Sequence, residues 1–141
     1  MSLFNVFNIA GSALNAETIR LNTTASNLAN AESVNGDESK VYRARHPVFQ
    51  AMMNTEDAGF EGQDAAVGVR VLGVVESKAP ATMRYQPDNP LANKDGYVFM
   101  SNVNSIEEMT NMISANRSFA TNVEAINTAR DLLLKTISMG H

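Results

Sequence analysis

The stretch NSIEEMTNMISANRSFATNVEAINTARDLLLKTI, residues 104–137, constrains this chain more than any other feature. Met109, Met112, Asn116, Phe119, Val123, Ile126, Arg130, Leu133 and Ile137 recur at alternating three- and four-residue steps. That is the spacing of one face of an α-helix. Ile106, Ile113, Ala120 and Leu134 widen the stripe along a neighbouring edge, and no proline interrupts it. Asn104 or Ser105 can cap the start, and Ser105 followed by Glu108 has the form of a capping box. Glu107 and Glu108 suit the positive end of the helix dipole, and Gly140 is a stop signal beyond Lys135. A helix of this length runs roughly 50 Å. A compact domain made from 141 residues would be only about 30 Å across. The helix therefore needs partners along its length, and its apolar surface exceeds what one neighbour hides.

The N-terminal segment supplies one partner. Phe7, Leu14, Leu21 and Leu28 recur at steps of seven, with Ala10, Gly11, Thr18 and Ala25 between them. This is a seam suited to close helix approach. The same segment is rich in Asn, Thr and Ser, whose side chains compete for backbone hydrogen bonds. Alone it would be a marginal helix, so burial of its seam must stabilise it. Joined antiparallel, the two helices match Phe7 with Leu133, Leu14 with Ile126, Leu21 with Phe119 and Leu28 with Met112. A helix pair within one monomer and an interface between subunits both satisfy this pattern. Asn116 and Arg130 interrupt the second stripe. They either set register, as polar seam residues do, or lie at its edge and reach water, Arg130 by snorkelling.

Between the helices the period changes. ESVNGDESK is polar and turn-rich, a loop signal. VYRARHPVF alternates like a strand, although Pro47 disfavours the middle of a sheet. NTEDAGFEGQDAA has the composition of an acidic loop. VGVRVLGVVES, ATMRYQP and YVFMSN are strand candidates, and DNPLANKDG is a turn with its corner at Asp95-Gly96. The expected fold is mainly α with a small β insertion: long N- and C-terminal helices forming an antiparallel coiled-coil-like pair, with a small antiparallel sheet between them. The expected division is an N-terminal helix over 1–33, a β-rich middle with flexible loops over 34–103, and a C-terminal helix over 104–141. The first and last together form one helical domain.

The chain offers no chemistry of the enzymatic kind. It has no cysteine, and its only histidines are His46 and His141. Thiolate chemistry, disulfides and zinc held through sulfur are thereby excluded. No nucleophile elbow or phosphate-cradling loop occurs. NKDG matches only part of a calcium loop, because Leu91 and Asn102 stand where its key carboxylates belong. No catalytic residue, cofactor, metal ion or small-molecule substrate is expected. The formal charge of −4 with no basic patch argues against nucleic acid. No apolar run approaches the roughly 20 residues needed to span a membrane. The first residues, with no Lys or Arg before Arg20, do not have the form of a cleavable signal peptide.

LNTTASNLANAES, VYRARHPVF and YQPDNPLANKDGYVFMSNVNSIEEMTNMISANRSF, taken in this order, closely resemble the axial proteins of the bacterial flagellar rod, hook and filament. The resemblance covers nearly the whole chain and is strongest to proximal-rod members. SNLANA alone would point only to the wider family. The combination with Asn89-Pro90-Leu91-Ala92, Asp95-Gly96-Tyr97-Val98 and NMISANRSF is far more specific. Where other axial proteins carry TPGY after LANA, this chain has ESVNGDESKVY, which points away from the hook and distal-rod branches. The resemblance implies a structural subunit of the basal-body drive shaft that transmits torque across the periplasm. It also implies uncleaved export by the flagellar type III apparatus. The implied partners are other rod proteins, the rod-to-membrane-ring adaptor, copies of itself and the export apparatus. A soluble dimeric coiled-coil export chaperone or regulator is the alternative that the helices alone would also permit.

Overall fold

The computed structural model describes residues 3–53 and 66–139. Most of the acidic segment expected as a loop lies outside them, as do Gly140 and His141. The elements run in the order α1 (Leu3–Ala29), β1 (Val34–Asn35), a 3-10 turn (Glu38–Lys40), β2 (Arg45–Met53), β3 (Ala66–Glu76), β4 (Thr82–Tyr85), β5 (Tyr97–Met100) and α2 (Ser105–Met139). Two long helices pack together, accompanied by small antiparallel sheets. β1, β5 and β4 form a three-stranded sheet in that spatial order, and β2 with β3 forms a two-stranded one.

Asparagine controls the start of α2, where the sequence offered two caps, and the end of α1. At the start of α2, Asn104 Oδ1 accepts from the N–H groups of Ile106 at 3.1 Å and Glu107 at 3.4 Å. Asn104 is therefore the cap rather than Ser105, and Glu108 is buried. At the end of α1 no glycine is present. Instead the Asn30 N–H is shared between the carbonyls of Ser26 and Asn27, and Asn30 Nδ2 donates to the Ser26 carbonyl at 2.8 Å. The last carbonyls of the helix thus find donors without a left-handed residue.

The middle differs from expectation in forming two sheets rather than one and in its first strand, whereas Pro47 sits on an edge strand as expected. Val34 and Asn35, within a segment expected as loop, pair with Met100 and Phe99 on the free edge of β5. The Ser101 N–H bonding to the Ser33 carbonyl at 3.2 Å extends that pairing. A partner edge has overridden weak local preference. Pro47 does not end a strand, because β2 runs through it. The Ala44 carbonyl accepts from Ser77 N–H at 2.7 Å, so by strand alternation the groups of Pro47 face away from β3. The missing N–H costs no ladder bond on such an edge. The expected turn before β5 is held by Asn93, whose Oδ1 accepts from the N–H groups of Asp95 and Tyr97. Gly96 there has φ of +77°, a conformation that favours glycine.

By contact density the chain forms two compact units. The first comprises Met1–Ile19, Val48–Gly73 and Ser114–His141, and the second Arg20–Pro47 and Val74–Ile113. Among the described residues, the first unit buries mostly small side chains: Ala10, Ala16, Ala115 and Ala129. Small residues let backbones approach closely and leave large neighbours at the margin. The second unit centres on Val98, which is fully buried, with Val41, Ala44 and Ala31. It also buries Thr23, Thr24, Asn27, Ser101 and Glu108, so hydrogen bonding organises this core as much as apolar area does.

Candidate assembly surface

The long stripe of α2 divides in two. Met112, Phe119, Ile126 and Leu133 are half-buried. In the first unit, Phe119, Ile126 and Leu133 share their side of the helix with buried Ala115 and Ala129 and half-buried Asn122. Met109, Asn116, Val123, Arg130 and Ile137 are exposed. So are Ile106, Ile113, Ala120, Asn127 and Leu134. Those two exposed sets interleave at three- and four-residue steps and form a second seam, rotated from the first by about one residue, or 100°. Exposure reaches 78% at Ile106 and 63% at Ile137. Asn116 and Arg130 lie on this outer seam. On α1, Phe7, Leu14, Leu21 and Leu28 are half-buried, while Gly11, Thr18 and Ala25 are exposed.

Next to the outer seam, in the first unit, is an open groove of about 670 Å³ lined by Val6, Ala120, Ala125, Ala129 and Leu132, with Glu124 at its edge. Thr121 and Thr128 line it too, so three alanines and two aliphatic side chains share the groove with two hydroxyls and one carboxylate. Such a surface receives another apolar element through close packing.

Nothing in the polar inventory competes with this reading. The Arg45–Glu76 ion pair at 3.0 Å and the Lys40–Asp37 pair at 3.6 Å are solvent-exposed, and exposed pairs of this kind contribute little to stability. Among the described residues no three His, Cys, Asp or Glu side chains come together as metal ligands. Among the described residues no helix is long and apolar enough to cross a membrane. His46 is exposed on β2.

The residues that organise the second unit were not apparent from periodicity. Asn27 is only 1% exposed and bonds to both backbone groups of Arg45. Asn102 Oδ1 accepts from the Ala44 N–H at 2.8 Å, and its Nδ2 donates to the Ala79 carbonyl at 2.9 Å. The available signal was an asparagine in the last turn of a helix, where its propensity is poor and a side-chain role is the better explanation.

These features define a class of protein: one with packed long helices, small antiparallel sheets and an uncovered apolar seam. Residues 7–36 match the family described as flagella basal body rod protein, and residues 94–139 match the flagellar basal body rod FlgEFG protein C-terminal family. The flagellar basal-body rod protein FlgC of Salmonella typhimurium strain LT2 is 50% identical over 140 residues, covering 99% of both chains. The FlgC protein of Escherichia coli O6:H1 is 49% identical with the same coverage. That of Buchnera aphidicola subsp. Schizaphis graminum is 42% identical over 142 residues, again covering 99% of each chain. The chain belongs to the FlgC family of flagellar basal-body rod proteins. It is a structural subunit of the flagellar basal body, not an enzyme, and it assembles with other rod components and with copies of itself.

Proposed function

We propose that residues 1–33 and 104–141 pair as an antiparallel, coiled-coil-like helical layer of the rod, and that residues 34–103 form its outer, β-rich part. The inner seam, with Phe7, Leu14, Leu21 and Leu28 against Met112, Phe119, Ile126 and Leu133, holds each subunit together. The outer seam of Met109, Ile113, Val123 and Ile137 packs against neighbouring subunits, and Asn116 and Arg130 set its register. The exposed second seam on α2 carries this reading, since an apolar stripe of that length on a soluble helix calls for a partner. Contacts that repeat head to tail do not close on themselves and give helical arrays. A shaft built in this way resists torsion because each helix is buried on more than one side.

The remaining parts of the reading rest on family membership: torque transmission across the periplasm, uncleaved export through the flagellar type III apparatus, and contact with the adaptor to the membrane ring. Mild extraction and fractionation test it. The chain should copurify with intact basal bodies and be absent from the soluble pool of a cell with completed rods. Stoichiometric recovery with a soluble client protein would instead favour an export chaperone.

A further inference from the structure

We infer that Asn27 is a positioning residue: its carboxamide takes the place of a neighbouring strand at Arg45, making order at the start of β2 conditional on α1 being helical to its last turns. Asn27 Nδ2 donates to the Arg45 carbonyl at 2.8 Å, and Oδ1 accepts from the Arg45 N–H at 2.9 Å. A peptide group on a paired strand would present the same donor and acceptor. A carboxylate cannot do this, because it has no donor. Oδ1 also accepts from the Tyr42 hydroxyl at 2.9 Å, which fills its second lone pair. The Tyr42 proton is thus committed, so in the 3.1 Å contact with Ser26 Oγ the serine is the donor. The Arg45 guanidinium lies 5.6 Å from the Tyr42 ring centroid and bonds to Glu76.

On the other side of the strand the Ala44 N–H bonds to Asn102 and its carbonyl to Ser77. All four backbone groups of Ala44 and Arg45 are therefore satisfied, and both of Arg45's partners come from one α1 side chain. If the helix unwinds at residue 27, both Arg45 groups and the Tyr42 hydroxyl lose their Asn27 partner together, and partly buried polar groups left unpaired are costly. By linkage the strand supports the helix end equally. That end needs support: Thr23, Thr24, Ser26, Asn27 and Asn30 are weak helix formers, and the last turn contains no basic residue. The inference also gives SNLANA and YRARHPVF one shared physical role, as two halves of a single hydrogen-bonded cluster.

Native-state hydrogen exchange on the full-length chain, followed residue by residue over a urea series, tests this. The Arg45 amide should open with the amides of Asn27 and Leu28, with the same free energy and the same urea slope. Separate opening of Arg45 would overturn the proposal. Where all of these amides exchange only on global unfolding, the Asn27→Asp variant decides. It keeps the shape and the acceptor but loses the donor. Protection at Arg45 should then fall about tenfold or more relative to Val98, the centre of the other sheet. An equal change at both amides, or none at Arg45, refutes the inference.

Discussion

A Cβ placed on Gly68 would lie 2.6 Å from the Ser12 hydroxyl oxygen. That hydroxyl is not free to turn aside, since it accepts from the Val69 N–H at 3.0 Å and donates to the Ile9 carbonyl at 2.8 Å. Helix α1 and strand β3 meet there through the space that glycine leaves. Gly68 also has φ of +153°, a region strained for other residues. Gly68→Ala should destabilise the chain by about 2 kcal/mol. Gly11, which is exposed and helical with nothing within 4 Å of an added Cβ, should respond oppositely. Gly11→Ala should stabilise by about 0.5–1 kcal/mol. Urea melts of both variants check the pair, and equal effects would contradict this account.

The two seams of α2 predict different phenotypes for the same chemical change. Val123→Asp adds charge to an exposed position, so monomer stability should shift by no more than about 0.5 kcal/mol. Motility should nonetheless be lost, because a neighbour would have to bury the carboxylate. Ile126→Asp, on the half-buried seam, should cost roughly 2–4 kcal/mol in the monomer itself. Swarming plates combined with urea titration separate the two. Full motility with Val123→Asp would remove the outer seam from the interface.

Helix register is open to direct chemical measurement, because the chain contains no cysteine. Leu14→Cys with Ile126→Cys should form a disulfide readily in assembled rods, since bridging requires Cα atoms within about 7 Å. Leu14→Cys with Arg130→Cys, offset by four residues, should not. Gel mobility under non-reducing conditions reads the result, and the reverse preference would mean a slip of one turn.

Terminal helicity should depend on assembly. α1 is built largely from weak helix formers, and α2 leaves Ile106, Met109, Ile113, Leu134 and Ile137 uncovered. Helices of this kind draw their stability from tertiary burial. Far-ultraviolet circular dichroism of the dilute monomer should show slightly less helix than assembled rods, from fraying at the uncovered ends of α2. Equal helicity in the two states would count against this expectation.

Asp37 gives a small pH-dependent element. Its carboxylate accepts from the Ser39 hydroxyl at 2.7 Å and from the Ser39 N–H at 2.9 Å. The hydroxyl bond first, then the backbone bond and finally the charge of Lys40, hold its pKa below the usual aspartate value. A depressed carboxylate pKa contributes stability that is present above the unfolded value and lost as pH falls through the folded one. The 3-10 turn Glu38–Lys40 should therefore stay capped at neutral pH and loosen only in acid. The Ser39 amide shift in an NMR titration follows this, and Asp37→Asn should abolish the transition.

Sequence by itself placed one long helix within residues 1–33 and another within 104–141, and showed where β3, β4 and β5 fall, because hydrophobic period and turn residues act locally. The motifs also placed the chain in its family. Which half of the α2 stripe turns inward was not legible, since Met112 and Met109 are chemically alike and either could face a partner. Tertiary structure decided it: Ala115 and Ala129 allow close packing beside Met112, Phe119, Ile126 and Leu133, leaving Met109, Val123 and Ile137 outside. Small residues carry little signal in a hydrophobic count, although their size governs how near two backbones can come. The same limit applies to β1 and to the asparagines. Val34 and Asn35 become a strand only because β5 offers an edge, and Asn27 and Asn102 act across distances in the chain that no local pattern records. A side chain's hydrogen-bond partner is a property of the folded neighbourhood, and only the tertiary structure brings residue 27 to residue 45.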